Sequence, residues 1–115
     1  MIRIAICDDE APARAYLASL IRARDCPCEI VEYASASDCL AGSGEIDLLF
    51  LDIGLNAAGP DGMELARKIR EQSAATQPVI VFVTGYERYV FDAFDVGAFQ
   101  YLLKPVDEEK FAQVF

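Results

Sequence analysis

The chain has 115 residues, of which 54% are hydrophobic, and its 19 acidic and 10 basic residues give a net charge of −9. This length and hydrophobic content indicate one folded domain and exclude a disordered chain. The acidic balance disfavours direct binding of these residues to nucleic acid or to a membrane surface. The apolar runs are too short for a membrane span and no secretory signal is visible, so we expect a cytoplasmic protein.

Histidine is absent from the chain, whereas cysteine occurs at four positions. The lack of histidine excludes a Ser-His-Asp triad, a Cys-His pair and histidine metal ligands among these residues. Cys26 and Cys28 have C-x-C spacing rather than the C-x-x-C of redox motifs, and no second pair follows at zinc spacing. We therefore interpret all four as free thiols, with Cys7 and Cys39 packed in the core.

Strand and helix patterns alternate regularly, which predicts an α/β fold with helices on both faces of a parallel sheet. Helices are predicted at 11–24, at about 61–72 and at 86–95, with a short one after Ser35 that ends at Gly42 and Gly44. A last helix, capped by Asp107, has only begun at Phe115, so we expect residues 1–115 to be excised from a longer protein. Strands are predicted at 2–7, 29–33, 48–51, 79–83 and 99–103.

Polar residues follow four of the predicted strands. Asp8 and Asp9 come after the first strand, Asp52 after the third, Thr84 after the fourth and Lys104 after the fifth. Because the carboxyl ends of parallel strands line one crevice, we expect these side chains to meet there. Three clustered carboxylates repel one another unless a cation binds, and ligands of this kind suit Mg²⁺.

These side chains are suited to phosphoryl transfer. A carboxylate can accept a phosphoryl group as an aspartyl phosphate, while Mg²⁺ and a lysine neutralise the developing charge. Asp52 stands alone and is the natural nucleophile, whereas Asp8 and Asp9 are paired and are the natural metal ligands. Taken singly, each residue has an ordinary alternative, such as a helix cap or a solvated lysine. Four strand ends with complementary chemistry favour a single site.

Five short segments share a pattern with a known family. They are ICDDE (6–10), FLDI (50–53), DGMEL (61–65), FVTG (82–85) and YLLKP (101–105). Through them the chain resembles the receiver domain of bacterial response regulators over essentially its whole length. Residues 86–94 and 97–105 are similar to the subgroup coupled to LytTR-type DNA-binding domains. The resemblance implies a flavodoxin-like receiver fold, with a doubly wound sheet of five parallel strands in the order 2-1-3-4-5 and a truncated last helix.

The resemblance also implies a role for each acidic residue of the site. Asp52 would be the phosphoacceptor. Asp9, Asp52 and the carbonyl of Gly54 would bind Mg²⁺ directly, while Asp8 would act largely through water.

Three further residues would respond to the phosphoryl group. Thr84 and Lys104 would contact its oxygens, and Lys104–Pro105 would be a cis peptide that aims the lysine. Tyr101 would be the switch aromatic that turns inward as Thr84 moves. A plain core tyrosine is the ordinary alternative for Tyr101.

Phosphorelay signal transduction is the function that the resemblance implies. A sensor histidine kinase would donate the phosphoryl group. The domain would be a phosphoacceptor rather than an enzyme, although it would catalyse its own Mg²⁺-dependent phosphorylation and dephosphorylation. The face formed by the fourth helix, fifth strand and fifth helix would change, and a homodimer could form through it. This domain would bind no nucleic acid and no membrane. DNA binding and transcription regulation are expected from a C-terminal output domain of the longer protein.

The chain departs from the family pattern at two places. The stretch from Asp52 to Gly62 is ten residues, longer than the usual pattern, and its proline, Pro60, comes late; this bears on the loop and on Gly54 as a ligand. Gly54 and Tyr86 occupy positions that tune the attack of water in the family. Because Gly54 offers no side chain to orient water and Tyr86 could shield the phosphate, we predict a slow-decaying phosphoryl state.

Three other functions remain as alternatives. A phosphohydrolase of the haloacid-dehalogenase type needs a second acid two residues after its nucleophile, where this chain has Gly54. A flavodoxin-like cofactor binder needs a hydroxyl- and glycine-rich loop after its first strand, whereas Asp8, Asp9 and Glu10 would repel phosphate in the absence of a metal. A receiver reduced to an interaction module would have lost an acidic or lysine position, and none is lost here.

Overall fold

Five strands and five helices alternate along the part of the chain that the structure describes. This computed structural model describes residues 2–25, 27–41, 46–54, 62–71, 78–85 and 87–115. In chain order the elements are β1 (Ile2–Cys7), α1 (Ala11–Arg22), β2 (Cys28–Tyr33), α2 (Ala36–Ala41), β3 (Leu48–Leu51), α3 (Gly62–Glu71), β4 (Val79–Thr84), α4 (Val90–Asp95), β5 (Gln100–Leu103) and α5 (Glu108–Val114).

The strands form one parallel sheet in the order β2-β1-β3-β4-β5. This confirms the predicted fold class and strand order. The register places Cys7 beside Leu51, the last residues of β1 and β3, so Asp8 and Asp52 leave the sheet at the same level. β2 lies on one side of β1 and β3 on the other, so the order in which strands are added to the sheet reverses between β1 and β3. Doubly wound sheets open a binding crevice at such a point.

Both faces of the sheet are buried, which explains why its central strands are almost continuously apolar. Successive residues of β1 point to opposite faces: Ile4 and Ile6 pack in a cluster with Leu17 and Ile21 of α1, while Ala5 and Cys7 belong to the cluster on the other face. That second cluster includes Leu65 and Ala66 of α3. The core therefore holds the strand ends of the crevice rigidly from both sides.

Several element boundaries differ from the predictions. Helix α1 ends at Arg22, two residues early, and β4 runs on to Thr84, because the amide of Lys104 still donates to the carbonyl of Thr84. Helix α4 begins at Val90, so the prediction of helix over residues 87–89 was wrong. Those residues form a turn in which the amide of Val90 donates to the carbonyl of Glu87.

The predicted caps are confirmed where the structure describes them. The side chain of Ser35 accepts a hydrogen bond from the amide of Asp38, and that of Asp107 accepts one from the amide of Lys110. Gly42, Gly44, Pro60, Asp61, Gln72 and Tyr86 lie outside the described residues.

Cysteine packing also follows the sequence interpretation. Cys7 and Cys39 are buried, Cys28 is half-buried, and all three are free thiols, while Cys26 lies outside the described residues. Within the described ranges, the structure contains no helix that is long and apolar enough to cross a membrane.

Candidate functional site

Asp8 lies at the end of β1, only 1% exposed, and each of its polar groups has a partner. Its amide donates to the carbonyl of Tyr33 in β2, and its carbonyl accepts from Nη1 of Arg14 at 2.6 Å. Its Oδ1 accepts from the amide of Glu10 at 2.9 Å, and its Oδ2 accepts from Nζ of Lys104 at 2.8 Å. Asp8 is thereby held by β2, by α1, by Lys104 after β5 and by its own turn.

Lys104 joins the two buried carboxylates of the crevice. Its ammonium donates to Oδ2 of Asp8 at 2.8 Å and to Oδ2 of Asp52 at 3.0 Å. The carboxylate side chains are 2% and 7% exposed, and the lysine side chain 27%. The structure thus brings together three predicted site residues that lie 52 and 96 positions apart in the chain.

The pKa values reflect the balance of burial and charge in this group. Burial raises the pKa of Asp8, and the hydrogen bonds from Lys104 and from the amide of Glu10 offset only part of that rise. For Lys104, burial by itself favours the neutral amine, but the hydrogen bonds and charges of Asp8 and Asp52 outweigh it and raise its pKa. Lys104 therefore remains an ammonium at neutral pH. Additional positive charge near Asp8 would further stabilise the ionised form of its carboxyl group.

The backbone around Asp52 is held closely by its neighbours. Its amide donates to the carbonyl of Cys7, and its Oδ1 accepts from the amide of Gly54 at 3.0 Å. Helix α3 begins against it: the amide of Gly62 donates to the carbonyl of Ile53, and a Cβ at Gly62 would overlap the carbonyl oxygen of Asp52. Gly62 is therefore required for this close approach, a role that its sequence motif does not reveal.

Asp8, Asp9 and Glu10 bring their carboxylate oxygens within 4.8 Å of one another. Asp9 and Glu10 are exposed, so the group opens to solvent. An all-oxygen donor set of this charge fits a hard divalent cation such as Mg²⁺. Asp52 is not a member of this close group. The ammonium of Lys104 links Asp52 to it. Glu10 is the acidic member that the sequence reasoning missed, although its position directly after the aspartate pair was the available signal.

Thr84 ends β4 inside the site and is completely buried. Among the described residues, its Oγ1 has no hydrogen-bond partner. A buried hydroxyl without a partner is energetically unfavourable. The amide of Lys104 donates to the carbonyl of Thr84, so the last residue of β4 lies beside the first residue after β5, and both face the same crevice.

Tyr101 lies on β5, and Pro105 follows that strand directly after Lys104. The Lys104–Pro105 peptide is cis. Tyr101 is half-buried, with its ring 6.1 Å from that of Phe82, and burial, followed by the charges of nearby groups including Asp52, raises the pKa of its hydroxyl. Tyr89, in the turn just before α4, packs against the same apolar cluster as Tyr101. The position of Tyr101 fits both a switch residue and a core tyrosine.

Residues 4–115 match the response regulator receiver domain family. The chain belongs to this family. The receiver domain is 40% identical over 116 residues to the sensory transduction protein LytT of Bacillus subtilis, a match that covers 98% of this chain and 46% of LytT. It is 36% identical over 113 residues to the transcriptional regulatory protein BtsR of Salmonella typhi, covering 96% of this chain and 45% of BtsR. The chain therefore spans about half the length of these curated relatives.

Solved structures agree with this assignment. The response regulatory domain of protein mrkE from Klebsiella pneumoniae superposes with a TM-score of 0.86 at 32% identity, covering 97% of this chain and 90% of that one. The response regulator TrrA of Thermotoga maritima, crystallised with Mg²⁺–BeF, gives 0.83 at 28% identity, with 99% and 96% covered. The chain is the receiver domain of a two-component response regulator, and its relatives include LytT proteins, as the sequence resemblance predicts.

Proposed function

We propose that this receiver domain stores a phosphoryl group on Asp52. The observation that carries the proposal is the position of Lys104, whose ammonium lies between the buried carboxylates of Asp8 and Asp52 at 2.8 and 3.0 Å. An ammonium in this position can neutralise the negative charge of the carboxylate and, later, that of a phosphoryl group attached to it. The unpartnered hydroxyl of Thr84 supports the proposal, since a phosphoryl oxygen would give it an acceptor.

The chemistry assigned to each residue follows from these contacts. An oxygen of Asp52 attacks the phosphorus of a donor, a new P–O bond forms, and the bond between phosphorus and the donor breaks as its electron pair leaves with the donor. The Gly54 amide holds Oδ1 of Asp52 and Lys104 holds Oδ2, so the carboxylate is oriented before the reaction. Thr84 and Lys104 then hold the phosphoryl oxygens.

A divalent cation completes the proposed site. Asp8, Asp9, Asp52, Glu10 and the carbonyl of Gly54 are the groups that would hold Mg²⁺. When bound, Mg²⁺ would neutralise charge on the transferring oxygens. The closeness of the carboxylate oxygens of Asp8, Asp9 and Glu10, which lie within 4.8 Å of one another, supports this assignment, because their mutual repulsion favours a bound cation. The Mg²⁺–BeF complex of TrrA supports it as well.

The proposed role in a cell is a phosphorelay switch in the cytoplasm. A sensor histidine kinase would donate the phosphoryl group, and the domain would itself catalyse its gain and loss. The response would reach the face formed by α4, β5 and α5, where Phe91 is 83% and Phe94 53% exposed, and this face would also serve a homodimer. The relative BtsR, a transcriptional regulatory protein, supports a transcription-regulating output domain in a longer parent protein, and DNA binding would belong to that output domain.

Intact mass spectrometry tests the proposal. The domain is incubated with Mg²⁺ and acetyl phosphate, and we expect one phosphoryl adduct that is absent in Asp52→Asn. Asp47→Asn, at the opposite end of β3, makes the same chemical change away from the crevice and should still be labelled. No adduct on the wild type with active donor and metal would refute the proposal and favour an interaction module. An adduct retained in Asp52→Asn would refute Asp52 as the acceptor.

A further inference from the structure

Arg14 reaches from the first turn of α1 to the backbone of the acidic group. Its Nη1 donates to the carbonyl of Asp8 at 2.6 Å, and its Nε pairs with Oε1 of Glu32 at 3.3 Å. The Arg14 side chain is 17% exposed. The guanidinium thus spans from β1 to β2 at the end of the sheet where the carboxylates gather.

We propose that Arg14 is a positioning residue for the cation site, which it organises by holding the peptide between Asp8 and Asp9. This inference rests on the proposed function, because it assumes that the acidic group binds Mg²⁺. It concerns how strongly the domain binds the cation, not whether Asp52 is the phosphoacceptor.

The geometry of the peptide bond explains how Arg14 would act. The carbonyl oxygen of Asp8 lies in the same rigid plane as the amide nitrogen of Asp9. A hydrogen bond that fixes this oxygen therefore fixes the direction in which Asp9 leaves the strand. Asp9 is exposed, so its carboxylate depends on its backbone for a defined position. Residues that orient a metal ligand in this way strongly affect metal affinity.

Arginine is required because two acceptors are held by one side chain. Its planar guanidinium presents Nε and Nη1 in fixed directions, here toward Glu32 and the carbonyl of Asp8. A lysine has the same charge, but its ammonium is a single point and cannot occupy the separate Nε and Nη1 positions from which Arg14 reaches its two acceptors. The charge of Arg14 by itself opposes cation binding. Positioning and charge therefore predict opposite effects when Arg14 is neutralised.

Calorimetric titration with Mg²⁺ separates the two effects. We expect Arg14→Lys and Arg14→Gln each to weaken Mg²⁺ binding by about tenfold. Arg22→Gln, which removes the same charge from an exposed position in the last turn of α1, is the matched control and should bind within about twofold of the wild type. Circular dichroism melts confirm that each variant is folded, and Arg14→Lys, which keeps the charge, carries the test if Arg14→Gln does not fold.

The outcomes are distinguishable. Unchanged binding in Arg14→Lys, or tighter binding in Arg14→Gln, would overturn the positioning role while leaving phosphorylation of Asp52 intact. A wild type that binds no Mg²⁺ and takes no phosphoryl group would overturn the proposed function as well. A wild type that is labelled by acetyl phosphate, with both Arg14 variants weakened and Arg22→Gln unchanged, supports both.

Discussion

Replacing Lys104 by methionine removes the ammonium between Asp8 and Asp52 while keeping an unbranched side chain of similar length. The two carboxylates, 2% and 7% exposed, would then face each other without the charge that now bonds both. Both oxygens lie within 3.0 Å of the same nitrogen, so their repulsion is direct once the nitrogen is gone. We expect the variant to fold less stably in the absence of divalent metal.

The magnitude follows from burial. Removing one partner of a fully buried ion pair destabilises a protein by about 3–5 kcal/mol. Lys104 is itself 27% exposed, so water screens part of the interaction. We therefore expect the free energy of unfolding to fall by about 2–3 kcal/mol at neutral pH. Because the pKa of Lys104 is raised, the difference is fully present at neutral pH and disappears only as the pH rises through that raised value.

Urea unfolding in EDTA and in excess Mg²⁺ measures the effect. If Mg²⁺ occupies the acidic group, it should stabilise Lys104→Met more than the wild type, because the cation replaces the missing positive charge. Lys68→Met, an exposed change on α3, is the matched control and should alter stability by less than about 0.5 kcal/mol. Adding Asp52→Asn to Lys104→Met should restore part of the stability, because only one buried charge then remains.

Two results would refute this reasoning. Lys104→Met as stable as the wild type in EDTA would show that the ammonium does not offset the charges of Asp8 and Asp52. A loss of stability that Mg²⁺ leaves unchanged would show that the cation does not act at these carboxylates.

Three further predictions concern Thr84, Gly62 and the stored phosphoryl group. Thr84→Val should raise the stability of the unphosphorylated domain by about 1 kcal/mol in urea unfolding, because it removes a buried hydroxyl without a partner in the described structure; a loss would contradict this. Gly62→Ala should lower the free energy of unfolding by about 2–3 kcal/mol, because its Cβ would overlap the backbone of Asp52. Gly85→Ala has open space around its Cβ and should lower the free energy of unfolding by less than about 1 kcal/mol. Equal losses in the two variants would contradict this. After the donor is removed, intact mass should show the adduct on Asp52 decaying slowly, since Gly54 orients no water; loss within seconds would contradict this.

Much of the fold was predictable because it depends on local signals. The alternation of apolar strands with amphipathic segments indicated the α/β class, and the caps at Ser35 and Asp107 lie where the sequence places them. The start of α4 was predicted incorrectly, because aromatic residues at helical spacing continue back from Val90 into a turn at Glu87. A hydrophobic pattern identifies the buried side of a helix more reliably than it identifies its first residue.

The candidate site likewise has features that the sequence predicts and features that it does not. The sequence by itself determined which chemical groups end the strands, since residue type and strand position are local properties: Asp8, Asp52, Thr84 and Lys104 could be named without coordinates. Only the tertiary structure decided their contacts. The register of β1 and β3 places Asp8 level with Asp52. The ammonium of Lys104 therefore reaches both carboxylates, although Lys104 is distant from both in the sequence. The contact of Arg14 with the backbone of Asp8 likewise depends on how α1 packs over β1 and β2, and such packing is determined by the whole core.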